Sequence, residues 1–216
     1  MSIKQFEDVL RFWFPEQLDS DQATLVRQWE RWFRGGMDAA IIERFPSLLE
    51  QATRGELDNW SQEPRSRLAL ILVLDQFSRT IHRGLAQAFA QDEKACSLTI
   101  EGINGSHYTA LETPCEKTFF ILPLGHSEQL SNLNLVVTLA DELVQEAPQE
   151  QRALLEFSAA QACRHRDIIF QFGRHPHRNE VLGRESTPEE LKYLATGQLV
   201  HTRSMPPYLS KFLSNR

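Results

Sequence analysis

Residues 64–77, PRSRLALILVLDQF, constrain the fold more than any other stretch, because from Leu68 to Leu74 the segment is apolar on every side. A helix with no polar face has to be enclosed by other elements, so this one is expected at the centre of the molecule. The rest of the chain supplies the enclosure in helical form. Apolar residues recur at steps of three and four, and the period-two alternation of a half-buried strand is nearly absent. The expected fold class is all-α, built from stacked helical hairpins as in an irregular solenoid or bundle. No clean 34-residue tetratricopeptide repeat is written in the sequence.

Local signals place the helices. Residues 3–14 and 21–34 read as the first two, the second rich in Trp29, Trp32 and Phe33 and stopped by Gly35-Gly36. Shorter helices are expected over 37–44 and 46–54, then the core helix over 64–77 and another over 86–102. Thr113-Pro-Cys-Glu116 is a capping box with proline at the first helical position, starting a helix over 114–122. After Pro123 comes a helix over 127–146. Pro148 separates it from a long helix over 150–172, which Gly173 is placed to end. A second capping box, Thr187-Pro-Glu-Glu190, opens a helix that stops at Gly197, and the tail over 198–216 carries no clear pattern.

Composition narrows the class. A chain of 216 residues, 41% hydrophobic and 24% charged, suits a single all-helical domain over 1–216. The N-terminal MSIKQFEDVLRFWF enters an amphipathic pattern directly, unlike a secretory signal. The longest apolar run, LALILVL at 68–74, is too short to cross a bilayer. A cytoplasmic protein with no membrane contact is therefore expected. A formal charge of −6 repels nucleic acid at long range. Cys96, Cys115 and Cys163 form no CxxC pair, which points to packed thiols rather than a disulfide framework or a zinc knuckle. There is no Walker loop and no GxGxxG, and no cofactor is expected.

Three apolar stripes turn ionic, and those positions form the candidate site. On the long helix Ser158, Ala162, His165, Ile169 and Phe172 share a face, so His165 is expected to point inward. The stripe Leu130, Leu133, Val137, Ala140, Val144 extends back by one step to His126. The core helix runs through Leu68 and Leu72 into Asp75 and Arg79. Gln76, Glu128 and Asp167 stand beside these positions. Buried ionisable groups are costly unless paired or used, so the cluster reads either as ion pairs that fix helix packing or as a site. A histidine at a helix N-terminus is biased towards neutral imidazole, a general base, which is the expectation for His126. Ser127 lacks the GxSxG elbow and reads as a helix cap. His126, Glu128, His165 and Asp167 also raise a metal centre, but residues two apart point to different faces of a helix, and no metal is expected.

The stretch FGRHPHRN at 172–179 adds cations to the same region. Between 164 and 184, Arg164, Arg166, Arg174, Arg178 and Arg184 stand against Asp167 and Glu180, a local balance of +3. Pro176 stiffens the loop, and the guanidinium fork suits carboxylate or phosphate. The preferred reading is one pocket, to which His177 and Glu128 belong, where Arg79, Arg174 and Arg178 hold the anionic group of a small molecule. Gln76 and Asn179 orient that group. His126 or His165, backed by Asp75 or Asp167, transfers a proton if the pocket catalyses. The alternative is a helical-repeat module whose concave groove binds a protein partner, with a purely structural ionic cluster and the aromatics of the first two helices as its surface.

The motifs LILVLDQFSRTIHRG (70–84), AFAQDEKA (88–95), LPLGHSEQ (122–129), RHRDIIFQFGRHPHRN (164–179) and LGRESTPEE (182–190) occur in this order over most of the chain. In this the sequence resembles the bacterial family called domain of unknown function 924. The resemblance implies an all-helical, tetratricopeptide-like fold and no particular reaction. The chain departs from the family pattern at Ser78, where proline is usual, at His175, where phenylalanine is usual, and at Gly125, where a larger residue is usual.

Overall fold

The protein is described here by a computed structural model that covers residues 4–16, 18, 21–200 and 204–213. It is all-α: 72% of it is helical, with no strand among the described residues. None of the helices among those residues is long and apolar enough to cross a membrane.

The first helix, α1 (Lys4–Trp13), is tied to α2 (Gln22–Phe33) through the Trp13 carbonyl, which accepts the Trp32 Nε1–H at 3.0 Å. Asp21 caps α2, accepting the Thr24 N–H at 2.8 Å. Two short helices follow, α3 (Asp38–Arg44) and α4 (Pro46–Thr53). The core helix begins as α5 (Pro64–Leu72), and Leu68, Leu70, Leu72 and Leu74 are fully enclosed, as an all-round apolar segment requires.

The core helix does not run as one regular α-helix over 64–77. Residues Val73–Phe77 form a π-turn, closed by the Ser78 N–H donating to the Val73 carbonyl, and the chain continues as α6 (Ser78–Ile81). The wider turn inserts one residue and re-phases the stripe beyond it, and π-turns of this kind are frequent where side chains are aimed at a site. Asp75 lies at its centre.

The helix expected over 86–102 divides in two. Ala86–Phe89 is a 3-10 turn, and α7 spans Asp92–Asn104, with Asp92 and Glu93 in its first turn. Two acids belong at the positive end of a helix dipole, which is why the helix starts there. The capping box at Thr113 forms as expected, but α8 (Pro114–His126) continues through Pro123 instead of stopping before it. An interior proline costs about 3 kcal/mol. Burial of Phe119, Phe120 and Leu124 on either side offsets it. Accordingly α9 begins only at Leu130 and runs to Glu146.

The long helix α10 (Gln149–Phe172) ends at Gly173, whose φ of 68° is the left-handed conformation a helix stop needs. Helices α7 to α10 pack each against the next, and α10 also touches α2. The second capping box opens α11 (Pro188–Ala195). In the tail, α12 (Pro207–Ser210) sends Leu209 into the core. The Val200 carbonyl is held by Gln161 at 3.0 Å. Residue 3 of the first expected helix and residues 201–203 and 214–216 of the tail lie outside the described residues.

Candidate functional site

The π-turn delivers Asp75 to a place where only 1% of its surface is exposed. Its Oδ1 accepts from His126 Nδ1 at 2.7 Å and from Arg79 Nη2 at 3.3 Å, and its Oδ2 accepts from Gln76 Nε2. Asp92, at the start of α7, joins two arginines. Its Oδ1 accepts from Arg79 Nη2 at 2.9 Å and its Oδ2 from Arg178 Nη1 at 3.0 Å. The Phe89 ring lies 5.4 Å from the Arg79 guanidinium carbon and 4.7 Å from that of Arg178, within cation–π range of both.

Burial alone would raise the Asp75 carboxyl, but its electrostatic interactions with His126 and Arg79 and its hydrogen bonds from His126 and Gln76 outweigh that and hold it below the usual carboxylate range. Asp75 is therefore ionised and can only accept. The His126 imidazole is held below its ordinary value by burial, with Arg79 adding to the effect and Asp75 opposing it. This corrects the expected origin of its neutrality. His126 is the last residue of α8, not the first of α9, so the helix dipole there favours the cation, and burial overrides it. With Nδ1–H assigned to Asp75, Nε2 keeps its lone pair. Burial pushes Arg178 down to about 10, with Arg79 beside it in the same sense, against the pull of Asp92.

A cavity of about 420 Å³ opens onto this cluster. Arg79, His126, His165, His177 and Arg178 line it beside the cluster, Arg34 and Arg83 line it as well, and Trp29, Phe33, Leu122, Val136, Leu143 and Phe157 supply much of its apolar surface. Asp75 and Asp92 stand behind the arginines rather than on the wall. Helix α10 presents Ser158, Ala162 and His165 to the cavity along the stripe read from the sequence. Ser127 Oγ accepts from the Gln129 N–H at 3.1 Å and from Asn132 Nδ2 at 3.0 Å, so it caps a turn. Burial, with Asp75 and Asp92 nearby, pushes the Cys96 thiol up to about 11. Among the described residues no three His, Cys, Asp or Glu side chains gather as a metal site would require.

Asp75, Gln76, Arg79, His126, His165, His177 and Arg178 thus come together, while four other candidates do not. Asp167 is solvent-facing and paired with its neighbour Arg166 at 2.7 Å. Arg174 makes a bidentate contact with Glu190, 2.7 and 2.8 Å, and Asn179 donates to Ser186 and Glu190. Glu128 is held by both Arg184 Nη groups and accepts the His175 N–H at 2.8 Å. These last three build a clasp around the loop carrying His177 and Arg178 and are not part of the cavity lining. Sequence reasoning missed Asp92, Phe89, Arg184, Glu190 and the apolar wall. Asp92 lies inside AFAQDEKA, and nothing local marks it as the carboxylate shared by arginines 13 and 86 residues away.

His175 is 1% exposed, its ring 5.5 Å from that of His165 and 5.4 Å from that of His177, and its Nε2 meets no hydrogen-bonding group among the described residues. Burial, then the charge of Arg178, pushes its pKa far down. As pH falls through about 6.5 the unfolded chain takes up a proton that folded His175 refuses, so stability falls by up to about 1.4 kcal/mol per pH unit. His126 acts in the same sense. His175→Phe, the residue usual in the resembling family, is expected to flatten the decline between pH 6.5 and 5 by about one proton, read from urea midpoints. An unchanged slope would show that His175 titrates freely.

Fold and site together define an all-helical protein with a largely apolar cavity bordered by the cluster of Asp75, Arg79, Asp92, His126 and Arg178. The chain belongs to the family of bacterial proteins of unknown function designated DUF924, whose model matches residues 9–198. It is similar to the solved structure of ATU0120, a protein of unknown function from Agrobacterium tumefaciens. The two are 32% identical, the match covers 89% of this chain and 97% of that one, and the TM-score is 0.67. Comparison with curated proteins finds no match.

Proposed function

We propose that the protein binds an anionic small molecule in this cavity and acts on it by proton transfer. Arg79 and Arg178 hold the anionic group, and His126, oriented by Asp75, is the base. The observation that carries this reading is the 2.7 Å contact of Asp75 Oδ1 with Nδ1 of His126, a ring that lines the cavity together with Arg79 and Arg178. An ionised, accept-only carboxylate fixes the tautomer, which leaves Nε2 as the acceptor on a ring that lines the cavity. His165 and His177 stand at the same end.

The interaction-module alternative drew on the aromatics of the first two helices for its surface. Trp29 and Phe33 line the cavity and Trp32 is buried, which supports the small-molecule reading instead.

A thermal-shift series with butanoate, benzoate, inorganic phosphate and glycerol phosphate tests the proposal. At least one of these is expected to raise the melting temperature saturably. At a concentration 100-fold above Kd the gain is about 2.7 kcal/mol, or roughly 5–10 °C for a chain of this size. Arg178→Ala is expected to abolish the shift, and His126→Gln to keep most of it while losing any turnover. Shifts that persist unchanged in Arg178→Ala would remove the anion site from this cavity.

A further inference from the structure

The cavity's wall says more about the ligand than its charged end does. Beyond the arginines and histidines, most of the lining is apolar, with Phe33, Leu122, Val136, Leu143 and Phe157 prominent; of its polar side chains, Thr118 is engaged with the Pro114 carbonyl at 2.8 Å and Gln161 with the Val200 carbonyl at 3.0 Å, which leaves Ser158. A sugar, a nucleoside or a polar amino acid placed there would lose hydrogen bonds to water and regain few. An apolar body has no such loss, and gains for each methylene removed from water.

The charged end sets the head group. Arg79 and Arg178 face Asp75 and Asp92 at 2.9 to 3.3 Å, so two cations meet two anions and the nearby His126 and His175 are neutral. The end is donor-rich without a large net positive charge. It suits one negative charge; the other arginines on the lining are Arg34 and Arg83, and Arg83 is already held by Asp38 at 2.7 Å. A donor is left over: Arg178 lines the cavity, and Asp92 engages its Nη1 at 3.0 Å and not its Nη2.

We infer that the ligand is an amphiphilic monocarboxylate, its carboxylate on Arg79 and Arg178 and its apolar body along Phe33, Leu122, Val136, Leu143 and Phe157. The inference rests on the anion-binding reading above and narrows it to a substrate class. The wall disfavours phosphate esters with polar bodies, and the pairing of Arg79 and Arg178 with Asp75 and Asp92 disfavours alkyl phosphates.

Titration calorimetry of the full chain with hexanoate, octanoate and decanoate tests it, with decanol, decyl phosphate, acetate and inorganic phosphate as partial ligands. Affinity is expected to rise about three- to fourfold per added CH2, the factor that about 0.8 kcal/mol per methylene implies, until the cavity is filled. Decanol, without the charge, and decyl phosphate, with a second one, are expected to bind at least tenfold more weakly than decanoate. Ala162→Phe, which places a ring in the cavity, should weaken decanoate at least tenfold and acetate much less. Thermal melting of this variant without ligand verifies that it folds, and Ala162→Leu serves in its place if it does not.

Each failure is distinct. Acetate or phosphate binding as tightly as decanoate, and lost in Arg178→Met, would overturn the apolar body and leave the anion site standing. Decanoate binding that survives both Arg178→Met and Arg79→Met would overturn the anion site as well. No binding by any of the carboxylates would overturn the inferred substrate class.

Discussion

Asp75→Ala is expected to lower the unfolding free energy by about 3–5 kcal/mol, the loss typical when one member of a buried charge pair is deleted. Three donors converge on this carboxylate, from His126, Arg79 and Gln76, and it is shielded from water on all sides. Removing it leaves Arg79 with Asp92 as its carboxylate partner and leaves His126 Nδ1 inside the protein with nothing to receive its proton. The penalty of those stranded donors, more than the lost attraction itself, sets the size of the effect. Urea unfolding, which adds no salt, measures it. A loss below about 1 kcal/mol would mean that water reaches the cluster and screens it as it screens surface pairs. The double replacement Asp75→Ala with Arg79→Met should recover part of the loss, because an apolar pair leaves fewer charges stranded.

The same replacement separates structure from function. Without Asp75 the floor of the cavity gains a net positive charge, so added acetate should stabilise Asp75→Ala more than it stabilises the parent, by supplying the missing carboxylate. Proton transfer by His126 should disappear, since the tautomer that exposes the Nε2 lone pair is no longer selected. A cluster that served only helix packing would show the stability loss without the gain in carboxylate affinity.

How much of this was legible in the sequence depended on whether the signal was local. The all-α class, the capping boxes at Thr113 and Thr187 and the stop at Gly173 are written in adjacent residues, and each formed as read. The face of α10 that carries Ser158, Ala162 and His165 followed from the helical period alone. Boundaries failed where tertiary packing overrode local chemistry. Pro123 is an ordinary helix stop, yet burial of Phe119, Phe120 and Leu124 carries α8 through it, and that shift moved His126 from the start of one helix to the end of another. The π-turn at Val73–Phe77 has no sequence mark that periodicity detects, because a segment apolar on every side shows no change of phase. For the site, arginine-rich loop composition pointed to the right region and could not assign partners. Arg178 faces the cavity while Arg174, four residues away, turns to Glu190. Which arginine is structural is decided by carboxylates distant in sequence.

That division makes Glu190 the second large prediction. Its carboxylate is 2% exposed and takes four donors: Arg174 Nε at 2.7 Å, Arg174 Nη2 at 2.8 Å, the Thr187 N–H at 2.8 Å and Asn179 Nδ2 at 3.2 Å. Chiefly the Arg174 hydrogen bonds hold it down to about 2. Glu190→Ala deletes half of the capping box and strands the Asn179 amide, while Arg174 keeps the Glu185 carbonyl and part of its exposure to water. The expected loss is about 2–4 kcal/mol at pH 7, from the cap and the buried polar groups together. The sign of the pH dependence follows from the depressed value. A carboxylate lower in the folded state than in the unfolded one stabilises above the unfolded value near 4.5, and that contribution is lost as pH falls towards 2. The gap between parent and variant should therefore narrow between pH 4.5 and 2, read from urea midpoints. A gap that stays constant would assign the loss to packing instead of charge. Anion affinity should fall as well, although Glu190 does not touch the cavity. Asn179, which Glu190 holds, also accepts from Arg184 at 3.0 Å, and Arg184 grips Glu128 and the His175 carbonyl. Loosening that clasp releases the loop that positions Arg178, so a variant with weakened stability and intact anion binding would show that the clasp and the cavity are independent.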